Sequence, residues 1–514
     1  MSEGALRQFD DLVIGSGMAG LSAAALLARA GRRVVVLEAH DAPGGYAHTF
    51  ALGDYRFCAQ VHYVFGCGPG GQIHGLLEEL GLLDAVPFVE LDPDGFDHVV
   101  IGDGAPGGAR YRIPKGWENF RARMKASFPA ETVGLDRYFD AIAEIVRELD
   151  AIPEKTAWTD WLTAPFRFPR LLRWRGATLA GLFDRLGLSM RVRAVLAGQC
   201  GDYLLPPSEV SLLLHATLVV AYGEGAYYPR RHYAGMVDAI VESIRKQPGC
   251  DVLLGEAVDR IEVEGNRVAT IHTATGGRYR AERVISNMDP HATIELVGAS
   301  RFPREFVEEH AHYAYSHSGV TLYLGLRGLD LRDFGFGSFN VWSYPNDDLD
   351  AIYRAQDAGD LSSPWLFLST PTLHAAEPGL APPGAQILEI ATHAPHAWWR
   401  ELRDRDPRAY NREKKKLREH LYDVLEARFV PGLRDHVDVF AIGTPATNER
   451  FVRAPFGNSY GAALVPGQVH AERRPTKTPL DNLWLCNATA GWPSVGGTVG
   501  SGRRLAHRLL AGED

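Results

Sequence analysis

Asp10-Asp11-Leu12-Val13-Ile14-Gly15-Ser16-Gly17-Met18-Ala19-Gly20 ends an apolar strand in a glycine-rich turn and opens a helix. The chain continues into a second apolar strand, Val34-Val35-Val36-Leu37, then Glu38 and Ala39, then the glycine pair Gly44-Gly45 and Tyr46. Each part has a physical reason. Gly15 permits a sharp turn, Gly17 removes the side chain that would keep a pyrophosphate from the backbone N–H groups, and Gly20 allows close packing of helix on sheet. Phosphates then rest on the positive end of the helix dipole, among Ser16, Met18 and Ala19. Glu38 lies 21 residues past Gly17, where a carboxylate accepts hydrogen bonds from ribose hydroxyls and repels a 2′-phosphate. These residues read as a dinucleotide site, and the glycine pair Gly44-Gly45, with amides for a second phosphate or a flavin edge, favours FAD over NAD.

With 514 residues, 46% of them hydrophobic, the chain is long enough for two domains and a large core. Its net charge of −9 and lack of a Lys/Arg block exclude nucleic acid as the expected partner. Five cysteines (Cys58, Cys67, Cys200, Cys250, Cys486) without a C-x-x-C pair argue against a disulfide framework or a zinc site and for a reducing compartment. The first strand begins too early for a signal peptide, and no apolar run reaches the ~18 residues of a spanning helix. The longest, residues 212–221, contains His215, a candidate hydrogen-bonded core residue. The expected location is cytoplasmic, free or peripherally attached to a membrane.

Along the chain, the pattern predicts a strand-like segment at 55–64, a helix at 72–80 closed by Gly81, and strands over 85–115. Residues 117–220 read as mostly helical. Residues 251–287 read as a meander ending in an apolar strand that rejoins the first sheet. Residues 411–429, with Leu417, Leu421, Leu425 and Phe429 on one face, form the clearest amphipathic helix. Leu483-Trp484-Leu485-Cys486 is a last strand before a glycine-rich loop at 491–502 and a final helix from about Arg503. The expected class is α/β. A discontinuous Rossmann-like FAD-binding domain (1–84, 225–295, 476–514) is interleaved with an α+β substrate domain (85–224, 296–475), whose helical insertion, 117–220, is a lid or membrane-contact region.

The N-terminal fingerprint, Tyr227-Tyr228-Pro229, Val284-Ile285-Ser286-Asn287 and the C-terminal strand, loop and helix together resemble the flavoprotein amine-oxidase-like superfamily. Gly44-Gly45-Tyr46-Ala47-His48-Thr49-Phe50, His62-Tyr63, Gly443-Thr444-Pro445, Arg450-Phe451 and Tyr460-Gly461 are similar to signatures of its phytoene desaturase, carotenoid isomerase and retinol saturase branch. The resemblance implies non-covalent FAD, with its adenosine end on residues 15–20 and Glu38 and its adenine near Val258. The flavin ring then lies between Gly44-Gly45 and Gly491, Gly497, Thr498 and Val499, and Asn287 and Asn487 join the cofactor set. Three departures stand out. Phe57-Cys58-Ala59-Gln60 replaces Phe-Asp-x-Gly, Arg231-His232 replaces a glycine pair, and Asn487, which tolerates positive φ, replaces a strand-terminal glycine.

Flavin chemistry requires orientation of the reacting carbon, a proton donor or acceptor, and exclusion of water. By resemblance, His62, Tyr63, Arg231 and His232 stand nearest the flavin or the substrate tunnel and are the catalytic candidates. His310, His312, His317, His393 and His396 offer no carboxylate at ligand spacing, and no metal is expected. In residues 158–175, Trp158, Trp161, Phe166, Phe168, Leu171, Leu172 and Trp174 alternate with Arg167, Arg170, Arg173 and Arg175. That mixture suits a bilayer interface and equally a lid or dimer face. The expected activity is hydride transfer between flavin N5 and C–C or C=C bonds of a long apolar carotenoid, retinoid or other isoprenoid-like substrate, as desaturase, saturase or isomerase. An external electron donor or acceptor serves it. The alternatives are an amine or amino-acid oxidase, with Arg231 as anchor, and a non-enzymatic prenyl carrier of the Rab escort and dissociation-inhibitor type.

Overall fold

The strand Leu6–Ile14 becomes fully buried as it reaches Leu12 and Val13, because sheet neighbours flank it on both sides and helices cover both faces. Val34–Leu37 and Arg278–Ser286 run parallel to it, Asp251–Leu253 extends one edge, and Leu483–Leu485 pairs in parallel with the end of Arg278–Ser286. Where they pair side by side, at Leu12–Ile14, Val34–Leu37, Val284–Ile285 and Leu483–Leu485, these strands are apolar and buried, as a parallel sheet covered on both faces requires. An antiparallel meander, Val258–Glu264 and Arg267–Thr273, pairs with the start of Arg278–Ser286. Helices Met18–Arg29, His232–Arg245 and Val495–Leu510 pack together on one face, and the meander and helix Pro290–Val297 cover the other. Asp11, buried in the central strand, is gripped by Arg32 on one side and by Arg283, at 2.6 Å, on the other. Ile14, Leu37, Leu253, Ser286 and Leu485 all end at the same margin of the sheet, where open α/β sheets bind ligands.

A second sheet runs in the order Val437–Gly443, Ser318–Arg327, Ala385–Ala394, Leu366–Ser369, Asn340–Tyr344, Asp97–Ile101, Ala109–Ile113. Its pairs are antiparallel except that between Asn340–Tyr344 and Asp97–Ile101. Helices His396–Arg405 and Pro407–Arg428 close one face through Trp399, Leu417, Leu421 and Leu425. Trp342, Trp365 and Phe367 on the other face meet the helices between Trp117 and Gly223. His215 sits inside that helical block, 2.8 Å from both the Tyr138 and Tyr203 hydroxyls. The computed structural model describes residues 5–102, 108–153, 158–375, 377–469 and 476–513, without the side chains of 158–162.

Three local expectations change. The strand at Tyr55 stops at Cys58, forms a hairpin with Thr49–Leu52, and leaves 59–64 outside the sheet. The final helix begins at Val495 rather than Arg503, so most of the glycine-rich segment is helical. Its glycines serve close approach: a Cβ at Gly502 would lie 2.3 Å from the Ala19 carbonyl oxygen. Asn487 is not among the described residues with positive φ. Its side chain accepts hydrogen bonds from the Thr489 and Ala490 amides and donates to the Met288 carbonyl, pinning a turn without a left-handed residue.

Candidate active site

At the strand margin lies an elongated cavity of about 520 Å³, within the usual range for cofactor pockets. Gly15, Gly17, Met18, Ala19, Glu38, Ala39, Gly44, Gly45, Tyr46, Val258, Asn287, Asn487 and Thr498 line it, all of them expected cofactor residues. Gly17 is required twice over. It exposes the amides of the first helical turn, and a Cβ there would sit 2.5 Å from Asn287 Oδ1. Helix Met18–Arg29 has no side-chain cap at Gly17, so its first N–H groups remain available to an anion. Ser16 is buried behind the cavity wall and holds Glu38 in place. Its amide donates to Glu38 Oε2 at 2.7 Å, its hydroxyl at 2.6 Å, and the His40 amide meets Oε1 at 2.8 Å. The glycine cradle, uncapped helix end and oriented carboxylate fit the phosphate and ribose of a dinucleotide. Gly45, with φ 59°, comes so close to Gly17 that a Cβ would meet its Cα at 3.1 Å.

A second, smaller cavity of about 120 Å³ shares a wall with the first: Gln60, Val61, Ser459, Tyr460, Ser494 and Val495 border both. The rest of its lining is largely apolar and aromatic, with Phe65, Leu204, Leu218, Trp342, Trp365 and Phe367 around His62, Tyr63, Asp202 and Tyr222. His62 Nδ1 lies 2.7 Å from Glu389 Oε2, a carboxylate buried in the strand Ala385–Ala394. The Tyr63 hydroxyl is 3.0 Å from Asp97 Oδ2 and 2.8 Å from Asp202 Oδ2. Gln199 donates to Asp97 Oδ2 at 2.6 Å, and Asn340 lies 3.4 Å from Oδ1. Burial, and after it the nearby Asp97 charge, push the Asp202 carboxyl up to about 8. Burial also raises Asp97, against the hydrogen bonds that favour its anion. The Tyr63 and Tyr222 phenols are pushed well above their ordinary value, first by burial and then by Asp202.

Two of the four catalytic candidates thus border this cavity and two do not. Arg231 is 62% exposed and pairs with Glu377 at 3.0 Å on the surface. His232 is buried but lines neither cavity, and its Nδ1 lies 3.1 Å from Thr49 Oγ1. Its φ of 65° shows that the backbone here has the left-handed shape a glycine would take without strain. Burial lowers this imidazole to about 4. Gly20 lies behind the turn, where a Cβ would meet the Gly15 carbonyl oxygen at 2.5 Å. Gly491, Gly497 and Val499 also stay off the cavity wall: a Cβ would press Gly491 on Ser501 and Gly497 on Trp492, and Val499 is fully buried. Cys58, in the departing Phe57–Gln60 segment, is a buried thiol pushed up to about 12 by burial.

The residues sequence reasoning missed are Asp97, Asp202 and Glu389. The signal that could have found Glu389 is its place as one charge in the apolar run Ile387-Leu388-Glu389-Ile390, since a buried glutamate demands a partner. In the 158–175 stretch, Phe168, Leu171 and Trp174 turn inward while Phe166 and Leu172 are exposed; the side chains of Trp158 and Trp161 lie outside the described residues. Asp357, unexpectedly, brings a carboxylate to His317 and His393, at 3.2 and 3.1 Å. His393 Nδ1 accepts from Trp365 Nε1 at 2.9 Å, which leaves the proton on Nε2 for Asp357. The trio is a closed hydrogen-bond chain with its His393 lone pairs committed.

The profile of the family described as flavin containing amine oxidoreductase matches residues 18–510. The chain belongs to that family. All-trans-retinol 13,14-reductase of Danio rerio is 27% identical over 93% of the chain and 82% of its own length. Prolycopene isomerase of Arabidopsis thaliana is 23% identical over 98% of the chain and 83% of its own. Among solved structures, a putrescine oxidase bound to putrescine superposes with a TM-score of 0.66 at 17% identity, covering 99% of this chain and all of that one. Cyclohexylamine oxidase from Brevibacterium oxydans gives 0.61 at 18%, covering 98% and 99%. The protein is a flavin-dependent oxidoreductase of the branch that holds these reductases and isomerases.

Proposed function

We propose that this flavoenzyme carries FAD and acts on C–C or C=C bonds of a polyene or other isoprenoid-like substrate. The observation that carries this reading is the shared wall: a glycine-walled cavity that fits a dinucleotide adjoins a smaller cavity whose aromatic lining matches an apolar chain. Bound in the first cavity, FAD supplies hydride transfer at N5. Residues 15–20 and Glu38 hold its pyrophosphate and ribose, and Gly44-Gly45 lets the chain pass close to it. Phe65, Trp342 and Phe367 exclude water and orient the substrate, while His62 and Tyr63, each backed by a buried carboxylate, hold protons at its edge. The names of the relatives, an all-trans-retinol reductase and a prolycopene isomerase, support a polyene as substrate class. The chain shows no second nucleotide fingerprint, so a separate electron donor or acceptor completes the cycle. Exposed Phe166 and Leu172 beside Arg167 and Arg173 support a membrane surface as the source of substrate.

The protein should purify yellow with about one FAD per chain, and Gly17→Val or Glu38→Ala should lose it because the first fills the phosphate cradle and the second removes the ribose acceptor. A colourless protein that fails to take up FAD on reconstitution contradicts the reading.

A further inference from the structure

Two carboxyls meet one phenol at the edge of the apolar cavity. The Tyr63 hydroxyl has a single hydrogen, yet it lies within hydrogen-bond distance of both Asp97 Oδ2 and Asp202 Oδ2. It can donate to one of them only, and a proton on the other carboxyl would let that group donate to the phenol oxygen in turn. Asp97 collects more donors, with Gln199 Nε2 at 2.6 Å, Asn340 Nδ2 at 3.4 Å and Trp342, against Tyr222 alone on the Asp202 side, and therefore takes the anionic part. The proton falls to Asp202. Asp202 lines the cavity and Asp97 does not, and among the described lining residues Asp202 is the sole carboxyl.

We propose that Asp202 is the proton donor of a double-bond reduction carried out in this cavity. The inference rests on the flavoenzyme reading above and deepens it, because it sets the direction toward saturation. In the step, the C=C π bond breaks. One carbon takes the Asp202 proton, forming a C–H bond; its neighbour takes a hydride from the reduced flavin, forming the second. The alkene gains two electrons, the flavin is oxidised, and a separate reductant restores it. Asp202, left as carboxylate, takes its next proton from solvent once product leaves the cavity.

The two phenols that flank Asp202 fit this role less well. The Tyr63 and Tyr222 phenols, raised by burial, hold their protons too tightly near neutral pH, whereas an acid matched to the working pH transfers most effectively. The titratable groups acting on Asp202 are Asp97, Tyr63 and Tyr222, with Cys200, Tyr344, Tyr353 and Tyr460 around them, each of which feels its charge. None of these is a cation that would favour the Asp202 anion.

Infrared difference spectroscopy on the FAD-loaded protein decides the protonation state without any substrate. A protonated-carboxyl C=O band should be present at neutral pH, vanish on titration through about 8, and be missing in Asp202→Asn. Asp97→Asn, which removes the neighbouring charge, should move that titration to lower pH and serves if the first variant folds poorly. A spectrum without such a band, or one that both variants leave unchanged, overturns the proposal. In single turnover with all-trans-retinol as probe, reduced Asp202→Asn with normal FAD content should be oxidised at least about 100-fold more slowly than wild type. Wild-type speed in the variant overturns the proposal. Failure of the wild-type enzyme itself to react with polyenes counts instead against the functional reading, and the infrared result still decides whether Asp202 holds the proton.

Discussion

Asp202 is costly to ionise where it stands, and that cost must appear in stability. Its carboxyl is raised in the folded protein relative to the unfolded chain, so between about 4 and about 8 the native state binds the extra proton. Stability from this group is fully present below the unfolded value and falls as pH rises toward the folded one. Asp202→Asn has no proton to lose, so the Tm of the variant should gain on that of wild type as pH climbs through this window; parallel Tm curves would refute the raised value. Arg231 gives the opposite case. Its exposed pair with Glu377 contributes at most about 1 kcal/mol, and Arg231→Ala should leave FAD content and the rate of flavin turnover unchanged. A tenfold loss of rate would return Arg231 to the active site. The sequence marked His62 and Tyr63 through their resemblance to a family motif, but not Asp97, Asp202 or Glu389. These come from a strand start, a short helical turn and a strand interior, and only the folded chain brings them against His62 and Tyr63. Arg231 was misplaced for a related reason: a motif position tells where the backbone runs, and the side chain beside it can still point to solvent.

The glycines of the last helix are an element-scale device. Gly502 faces the Ala19 carbonyl and Ser22 on helix Met18–Arg29, so the two helices approach at backbone distance with both N-termini toward the cofactor cavity. Gly502→Val places methyl groups in that contact and should cost about 2 kcal/mol through overpacking, with loss of bound flavin accompanying the fall in Tm. An undisturbed Tm and flavin content would show that the helices have room to spare. The first strand–turn–helix was legible because each position in it carries its own local constraint: apolar strand, positive-φ turn at Gly15, uncapped helix start. The last helix was read late because glycine, locally a helix breaker, is retained there for a contact 480 residues away in sequence, which local patterning does not register.

At the scale of the whole molecule, two sheets and a helical cover converge on adjoining cavities. The cover, between Trp117 and Gly223, packs against Trp342, Trp365 and Phe367. The smaller cavity, at about 120 Å³, falls well below the ~300 Å³ at which ligand pockets usually begin, so a long polyene requires the cover to move. Hydrogen exchange in residues 201–222, the part of the cover that lines this cavity, should therefore slow when polyene binds, while the parallel sheet stays unchanged; equal exchange with and without polyene would show a substrate that binds elsewhere. The central claim is that flavin and polyene exchange hydride here, and anaerobic stopped-flow absorbance tests it most directly. Mixing the reduced FAD enzyme with all-trans-retinol should restore the oxidised flavin spectrum with about one double bond lost per flavin. A flavin that remains reduced with every polyene offered, while the oxidised enzyme is bleached by putrescine, would contradict the account and make the protein an amine oxidase.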